Sequence, residues 1–327
     1  MWADTLYWII IGIIDVLAII FNALLIYLAL YRTPKMVRVY TTLIINLAFT
    51  DCCSAFLNFF VQQRMIPSGF TIGYISNGWC KLFGYRFCFL SHNLMAHFIV
   101  HSNYSLVLSF AYRYYILRKP EPRRKTVLIV LFITYLPSLL QLYKPCCFQI
   151  LYQFAESDPS EIIQLLQPYH PQYNFTGLTV SGVSDIRSVY ALYKILQMTV
   201  MTVPIFSTIL FLRNKIINRL LYRGINISLN TKSLHSQLLM ALTYQALLPT
   251  LYSINVIMYV LEQSGIYASP FFENFIMSGL VLIPFFSPFT SFFFFTPYRR
   301  IILGMVIKNL NKRPVATSET GHGSFPI

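Results

Sequence analysis

Seven long apolar runs separated by short loops occupy nearly the whole of this 327-residue chain. A helix rises about 1.5 Å per residue, so about 20 mostly apolar residues cross the roughly 30 Å hydrocarbon layer. The runs are approximately Leu6 to Tyr31, Thr41 to Gln62, Phe83 to Tyr112, Thr126 to Tyr143, Val189 to Leu212, Leu238 to Leu261 and Glu273 to Phe295. Lipid offers the backbone no hydrogen-bond partner, so such runs must satisfy themselves as helices. The expected architecture is an all-α membrane protein, a seven-transmembrane helix bundle. Residues 1–300 form one membrane domain, and 301–327 form a tail expected to be disordered after about 314. The charged fraction of 11% is far below the roughly 25% of soluble domains, which excludes a large soluble core.

Basic loops stay on the cytoplasmic side of a membrane. Of the 25 Lys and Arg residues, 19 fall in alternate loops and the tail: Arg32 to Arg38, Arg113 to Lys125, Arg213 to Lys232 and Arg299 to Arg313. This predicts an outside amino terminus and a cytoplasmic carboxyl terminus. Arg86 and Lys194 stand near the outer ends of the third and fifth spans, where long side chains can snorkel to the interface. The net charge of +14 is spread between spans rather than gathered on one soluble face, so membrane lipid and not nucleic acid is its expected counter-charge. Met1 to Thr5 carry no Lys or Arg, so the first span is expected to be retained.

Cys52 and Cys53 lie inside the second span, whereas Cys80, Cys88, Cys146 and Cys147 fall near the outer face, where disulfides persist. A bridge from the third span to the long outer loop is expected, with a local Cys80–Cys88 bridge as the alternative. For the long bridge Cys88 is preferred: 25 residues separate it from Arg113, about 37 Å of helix, whereas the distance from Cys80 would need about 50 Å. Of the sequons at Asn103, Asn174 and Asn226, only Asn174 is both outside and clear of a span, making it the glycosylation candidate.

An ionised group at the bilayer centre costs about 2.5–3.5 kcal/mol on insertion scales. Asp51, in the middle of the second span, should therefore face the bundle interior, with Asn22 of the first span as a plausible partner. Asp15 sits in the outer half of its span and reads as a tolerated carboxylate. Asn93, His97, His101 and Ser105 repeat every four residues along the third span, so they face protein or water and are candidates for a ligand cavity together with Arg86. The two histidines lack a third ligand or an HExxH context, so neither a metal nor any other cofactor is expected.

Prolines 137, 204, 249, 284 and 288 lie within spans, where they remove backbone hydrogen bonds and bend helices. Pro249 and Pro288 are hinge candidates and the others read as architecture. Beyond Pro297, the pattern of Ile301, Ile302, Met305 and Val306 among Arg299, Arg300 and Lys308 predicts a short amphipathic helix at the inner leaflet. Thr317, Ser318 and Thr320 are possible phosphorylation sites in the tail.

Two motifs carry a family resemblance. Asn46-Leu47-Ala48 through Asp51 resembles the second-span signature of rhodopsin-like seven-helix receptors, and Tyr112-Arg113-Tyr114 resembles their Asp/Glu-Arg-Tyr triplet with the acid replaced. Ser287-Pro288-Phe289-Thr290-Ser291 stands where those receptors carry Asn-Pro-x-x-Tyr, keeping the proline but changing the switch residues. Phe110 to Leu117, Gln245 with Pro249, and Pro297-Tyr298-Arg299 resemble nematode serpentine chemoreceptors, most closely class delta, over essentially the whole chain.

The resemblance implies a chemosensory receptor in the plasma membrane, with a sensory-neuron cilium as a candidate site, that binds a small odorant-like molecule and activates a heterotrimeric G protein. Arg113 would be the central contact, flanked by Tyr112 and Tyr114, with Asp51, Asn22, Pro249 and Pro288 in the switch. The missing acid leaves open what restrains Arg113. The alternatives are a ligand-gated channel or transporter, opposed by the charge bias and by the lack of an internal repeat, and a non-signalling trafficking or assembly protein. No P-loop, GxSxG or HExxH motif suggests an enzyme.

Overall fold

The computed structural model describes residues 2–33, 38–139, 157–222, 237, 239–241 and 243–310. Six helices among these are long and apolar enough to cross a membrane: Thr5–Tyr31, Arg38–Val61, Tyr85–Ile116, Ala191–Arg219, Leu239–Gln263 and Pro270–Phe294. The first three correspond to α1 (Trp2–Tyr31), α2 (Arg38–Val61) and α3 (Tyr85–Ile116), and α4 (Arg124–Leu139) follows. The described part of α4 is 16 residues long, and the remainder of the fourth apolar run lies outside the described residues.

α3 is the axial element. It packs against α2, α4 and the fifth span, while α1 packs on α2 and on the seventh span. The outward faces are apolar: Ile9, Ile13, Phe132 and Ile133 are all more than half exposed. That pattern suits a lipid solvent, because hydrocarbon requires no polar outer surface.

Among the described residues three spans are interrupted, each next to a proline. The fifth comprises α6 (Val189–Met198) and α7 (Thr202–Tyr222). Between them the Met201 amide reaches back five residues to Leu196 O at 3.1 Å, a widened turn just ahead of Pro204, whose ring cannot accept the normal helical geometry. The sixth bends at Ala246–Leu247, ahead of Pro249 near the start of α8 (Leu248–Gln263). The seventh consists of α9 (Pro270–Ser278), a 3₁₀ turn at Gly279–Val281, and α10 (Leu282–Phe294).

That last break precedes Pro284, not Pro288, which lies inside the continuous α10. Pro284 lacks an amide hydrogen and crowds the carbonyl four residues earlier, tightening the preceding turn. Gly279 permits a second close approach there, since a Cβ would run into the Asn255 side chain. α11 (Thr296–Leu310) follows the seventh span as expected, and its Tyr298 is fully buried, with its hydroxyl 2.7 Å from Thr33 Oγ1.

One end of the bundle departs from the all-α expectation. β1 (Gln63–Ser68) and β2 (Thr71–Ser76) form a hairpin, and β3 (Thr179–Val183) adds antiparallel to β2 with Ile72 opposite Val183. α5 (Pro159–Leu166) covers this sheet through Ile162 and Leu166, both fully buried against Ile66, Ile75, Phe175 and Val180. Alternating apolar residues within short loops gave little periodic signal, and pairing across about 100 residues is invisible to a local pattern.

Among the described residues the disulfide is the local one. Cys80 and Cys88 are joined, with Cα atoms 5.1 Å apart. Gly84, at φ 93°, reverses the chain between the 3₁₀ turn Trp79–Phe83 and α3, which brings Cys80 onto the first turn of that helix. Cys88 is therefore not available to the long loop, and Cys146 and Cys147 lie outside the described residues. Asn174 is exposed, with its side-chain oxygen accepting from the Thr176 amide at 3.0 Å.

Candidate functional site

Two regions of α3, one at each end, gather polar groups that a purely structural helix would not need. At the end bearing the sheet, the first apolar cluster unites Leu57, Met65, Ile72, Tyr74, Phe89 and Tyr252 with Ile276 and Met277. A cavity of about 70 Å³ opens within it. Around it stand residues that carry polar groups, His92 of α3, Lys194 and Thr199 of the fifth span, Tyr252, Asn255 and Tyr259 of α8 and Tyr74 from β2, although the surface exposed to the cavity is almost wholly apolar.

Lys194 does not snorkel outward. Its Nζ donates to Asn93 Oδ1 at 2.7 Å and stands 5.9 Å from the ring centres of Tyr74 and Phe89. His92 is buried with its ring against Tyr74, centroids 4.4 Å apart. The stripe expected to line a ligand cavity begins at Asn93 and does not include His92. A one-residue step turns a helical side chain by about 100°, and only the position of β2 decides which face the cavity meets.

The other residues expected in a ligand cavity lie elsewhere. His101 stacks on Tyr135 of α4 at 3.4 Å between centroids, and His97 flanks the same ring. Asn46 of α2 donates to Ser105 Oγ at 2.8 Å and its amide nitrogen lies 3.2 Å from His101 Nε2. These side chains bind α2, α3 and α4 together, and among the described residues no group of three metal-ligating side chains occurs. Arg86 is exposed, with its guanidinium 5.7 Å from the Tyr85 ring.

A latch closes the cavity end. Arg64 of β1 donates through Nε to Glu273 Oε2 of α9 at 2.7 Å, and its guanidinium lies 4.6 Å over the Tyr173 ring. Tyr173 Oη donates to Glu273 Oε1 at 3.0 Å, and His170, stacked on Tyr173, has Nε2 2.7 Å from Ser68 Oγ. Burial holds the His170 imidazole below its usual range, with Glu273 opposing and Arg64 assisting. Burial, reinforced by Glu273, pushes Tyr173 up to about 12.

Midway along the bundle, Asp51 is buried and accepts from Ser102 Oγ at 2.8 Å, with Ser287 of α10 beside it. Asn22 is not its partner. Asn22 Nδ2 donates to Ala18 O and to Pro284 O, 2.9 and 2.8 Å away, so it ties α1 to the break in the seventh span. Asp15 is not merely tolerated: it is fully buried and accepts from Asn58 Nδ2 at 2.9 Å. Tolerance near an interface requires an outward rotation, and helix phase turns this carboxylate toward α2 instead.

At the opposite end Arg113 is buried, 3% exposed, with its guanidinium 4.0 Å from the centre of the Tyr40 ring of α2. Tyr40 stacks on Tyr112, whose hydroxyl donates to Glu121 Oε1 at 2.9 Å. An aromatic face and a loop carboxylate one shell away thus occupy the place of the missing acid. Tyr114 faces α7 and carries Arg118 4.8 Å above its ring.

Residues 7–304 match the model of the serpentine type seven-transmembrane GPCR chemoreceptor family Srd. The chain is 37% identical to serpentine receptor class delta-18 of Caenorhabditis elegans, an alignment covering 85% of this chain and 82% of that protein. It is 35% identical to class delta-19 of the same organism, over 93% of this chain and 89% of the relative. Class delta-3 is 31% identical over 94% and 89% of the two chains. The chain belongs to the serpentine class delta chemoreceptor family, which establishes a multi-pass seven-helix membrane receptor of the chemosensory GPCR type.

Proposed function

We propose that this class delta receptor binds a small molecule in the cavity between β2, α3, α6, α8 and α9, and that binding shifts the helices so that the opposite end admits a heterotrimeric G protein. The observation that carries this reading is the placement of both stations on one rigid element. α3 supplies His92 to the cavity and Arg113, six turns away, to the aromatic clasp at the other end. A ligand can drive such a change only by binding the two bundle states unequally.

In this mechanism Arg113 is released from Tyr40 and meets the G protein, with Tyr112 and Tyr114 guiding its exit. Asp51 couples α2 and α3 to α10, Asn22 couples α1 to the seventh span, and the bends beside Pro249, Pro284 and Pro204 absorb the motion. Pro288 shapes α10 next to Ser287. The basic loops set an external amino terminus and a cytoplasmic carboxyl terminus in the plasma membrane, with anionic lipid as their counter-charge. Asn174 carries the glycan.

The test is epitope access at both termini in intact and permeabilised sensory cells, combined with Arg113→Ala measured at equal surface level. Output should vanish in the variant while delivery to the membrane or cilium persists. Parent-like output would remove Arg113 from coupling, and an internal amino terminus would overturn the receptor orientation.

A further inference from the structure

Lys194 places an ammonium beside a cavity whose exposed wall is almost wholly apolar. Among the residues lining that cavity there is no Asp or Glu. An ammonium carries three donors, and Asn93 Oδ1 takes one of them at 2.7 Å. One further polar group borders the same space without a hydrogen-bond partner among the described residues: both ring nitrogens of His92, 1% exposed. Buried polar groups are normally satisfied, so an unsatisfied imidazole beside a cavity calls for a partner.

We infer that the ligand is a small carboxylic acid bound as its anion, with the carboxylate on Lys194 Nζ and His92 and the hydrocarbon part against Met65, Ile72, Met198, Val256, Met277 and Leu280. This inference rests on the cavity being the ligand site. A carboxylate supplies the countercharge that the lining lacks and accepts from several donors at once. A neutral alcohol or ester would leave the ammonium desolvated and uncompensated, and an amine would add repulsion. The apolar remainder of the wall favours an alkyl chain over a sugar or an amino acid.

The experiment uses the full-length receptor purified in detergent. Thermal unfolding is followed with straight-chain carboxylates of two to ten carbons and with the alcohol, methyl ester and amine of each. Carboxylates should raise the midpoint and their matched amines should not. Lys194→Gln should weaken the best carboxylate by about 10- to 100-fold, the scale of a lost charge-assisted hydrogen bond, while Lys194→Arg retains part of it. Asn93→Asp, nearly isosteric, places an internal counter-ion beside Lys194 and should abolish carboxylate selection even where Lys194→Gln fails to fold.

Alcohols or esters binding as well as carboxylates, with binding lost in the cavity-filling Leu280→Trp, would overturn the carboxylate inference and leave the cavity reading standing. Carboxylate binding unchanged in both Lys194→Gln and Asn93→Asp would likewise overturn it. If no compound in any class shifts the midpoint, the carboxylate inference falls; if Leu280→Trp also responds to stimulus like the parent in cells, the cavity reading falls with it.

Discussion

The two ends of the bundle are fastened differently. The cavity end has a disulfide, a three-stranded sheet, a packed covering helix and an ion pair between the half-buried Arg64 and the buried Glu273. The Arg113 end has rings: Tyr40 under the guanidinium, Tyr112 on Tyr40, and Phe295 against Tyr298. Covalent and ionic ties hold one geometry, whereas a guanidinium on a ring can slide off at a cost of about 1–2 kcal/mol. The mechanism proposed above uses this asymmetry, with a rigid pocket at one end and a low-energy clasp at the other.

The strongest way to break this contrast is Glu273→Gln. It leaves Arg64, His170 and Tyr173 without their shared carboxylate, and because Arg64 is half-buried the cost falls toward the low end of the roughly 3–5 kcal/mol of a broken buried pair. The purified receptor should unfold at a clearly lower midpoint, and the stretch 157–188 should become sensitive to protease. A parent-like midpoint would show that the latch adds no rigidity. Next in size is the double change Cys80→Ser with Cys88→Ser, worth about 2.5 kcal/mol for so short a loop in the chain-entropy view. Reduced surface delivery is expected, with the ligand dose response of the delivered fraction little changed.

At the other end, Tyr40→Leu removes the ring under Arg113 while keeping an apolar side chain. A loss of about 1–2 kcal/mol should raise unstimulated output several-fold at equal surface level. Unaltered basal output would mean that Tyr40 does not restrain the arginine. The smallest effect concerns acid. His170 is held neutral by burial, its folded-state pKa lying below the ordinary 6.5. Its contribution is therefore complete above the unfolded pKa and is lost as pH falls through the folded one. Midpoints measured from pH 7.5 down to 5 should decline less steeply in His170→Gln than in the parent, and identical slopes would remove His170 from the latch's acid response.

Elements with strong periodicity were legible in advance. The second run predicted an end at Gln62, and α2 ends at Val61. The helix after Pro297 and the burial of Asp51, Asn93, His97 and His101 also followed from polarity within apolar runs. The cavity did not. Tyr74 comes from a strand inside a loop, His92 from a helix face one position away from the chosen stripe, and Lys194 from a span end where snorkelling was equally compatible with its length. Arg64 and Glu273 are separated by more than 200 residues, so no local pattern could have joined them.

The sequence by itself determined that this chain crosses a membrane as helices, because lipid leaves an apolar run no other way to satisfy its backbone. It also contained the motifs by which the class delta family is recognised. Only the tertiary structure decided which polar groups meet: Cys80 with Cys88, Asn22 with Pro284 rather than Asp51, Arg113 with Tyr40, and Lys194 with Asn93. Helix formation depends on residues three and four apart, whereas these pairings depend on the rotation of one helix against another, and that rotation is set by packing among all of them.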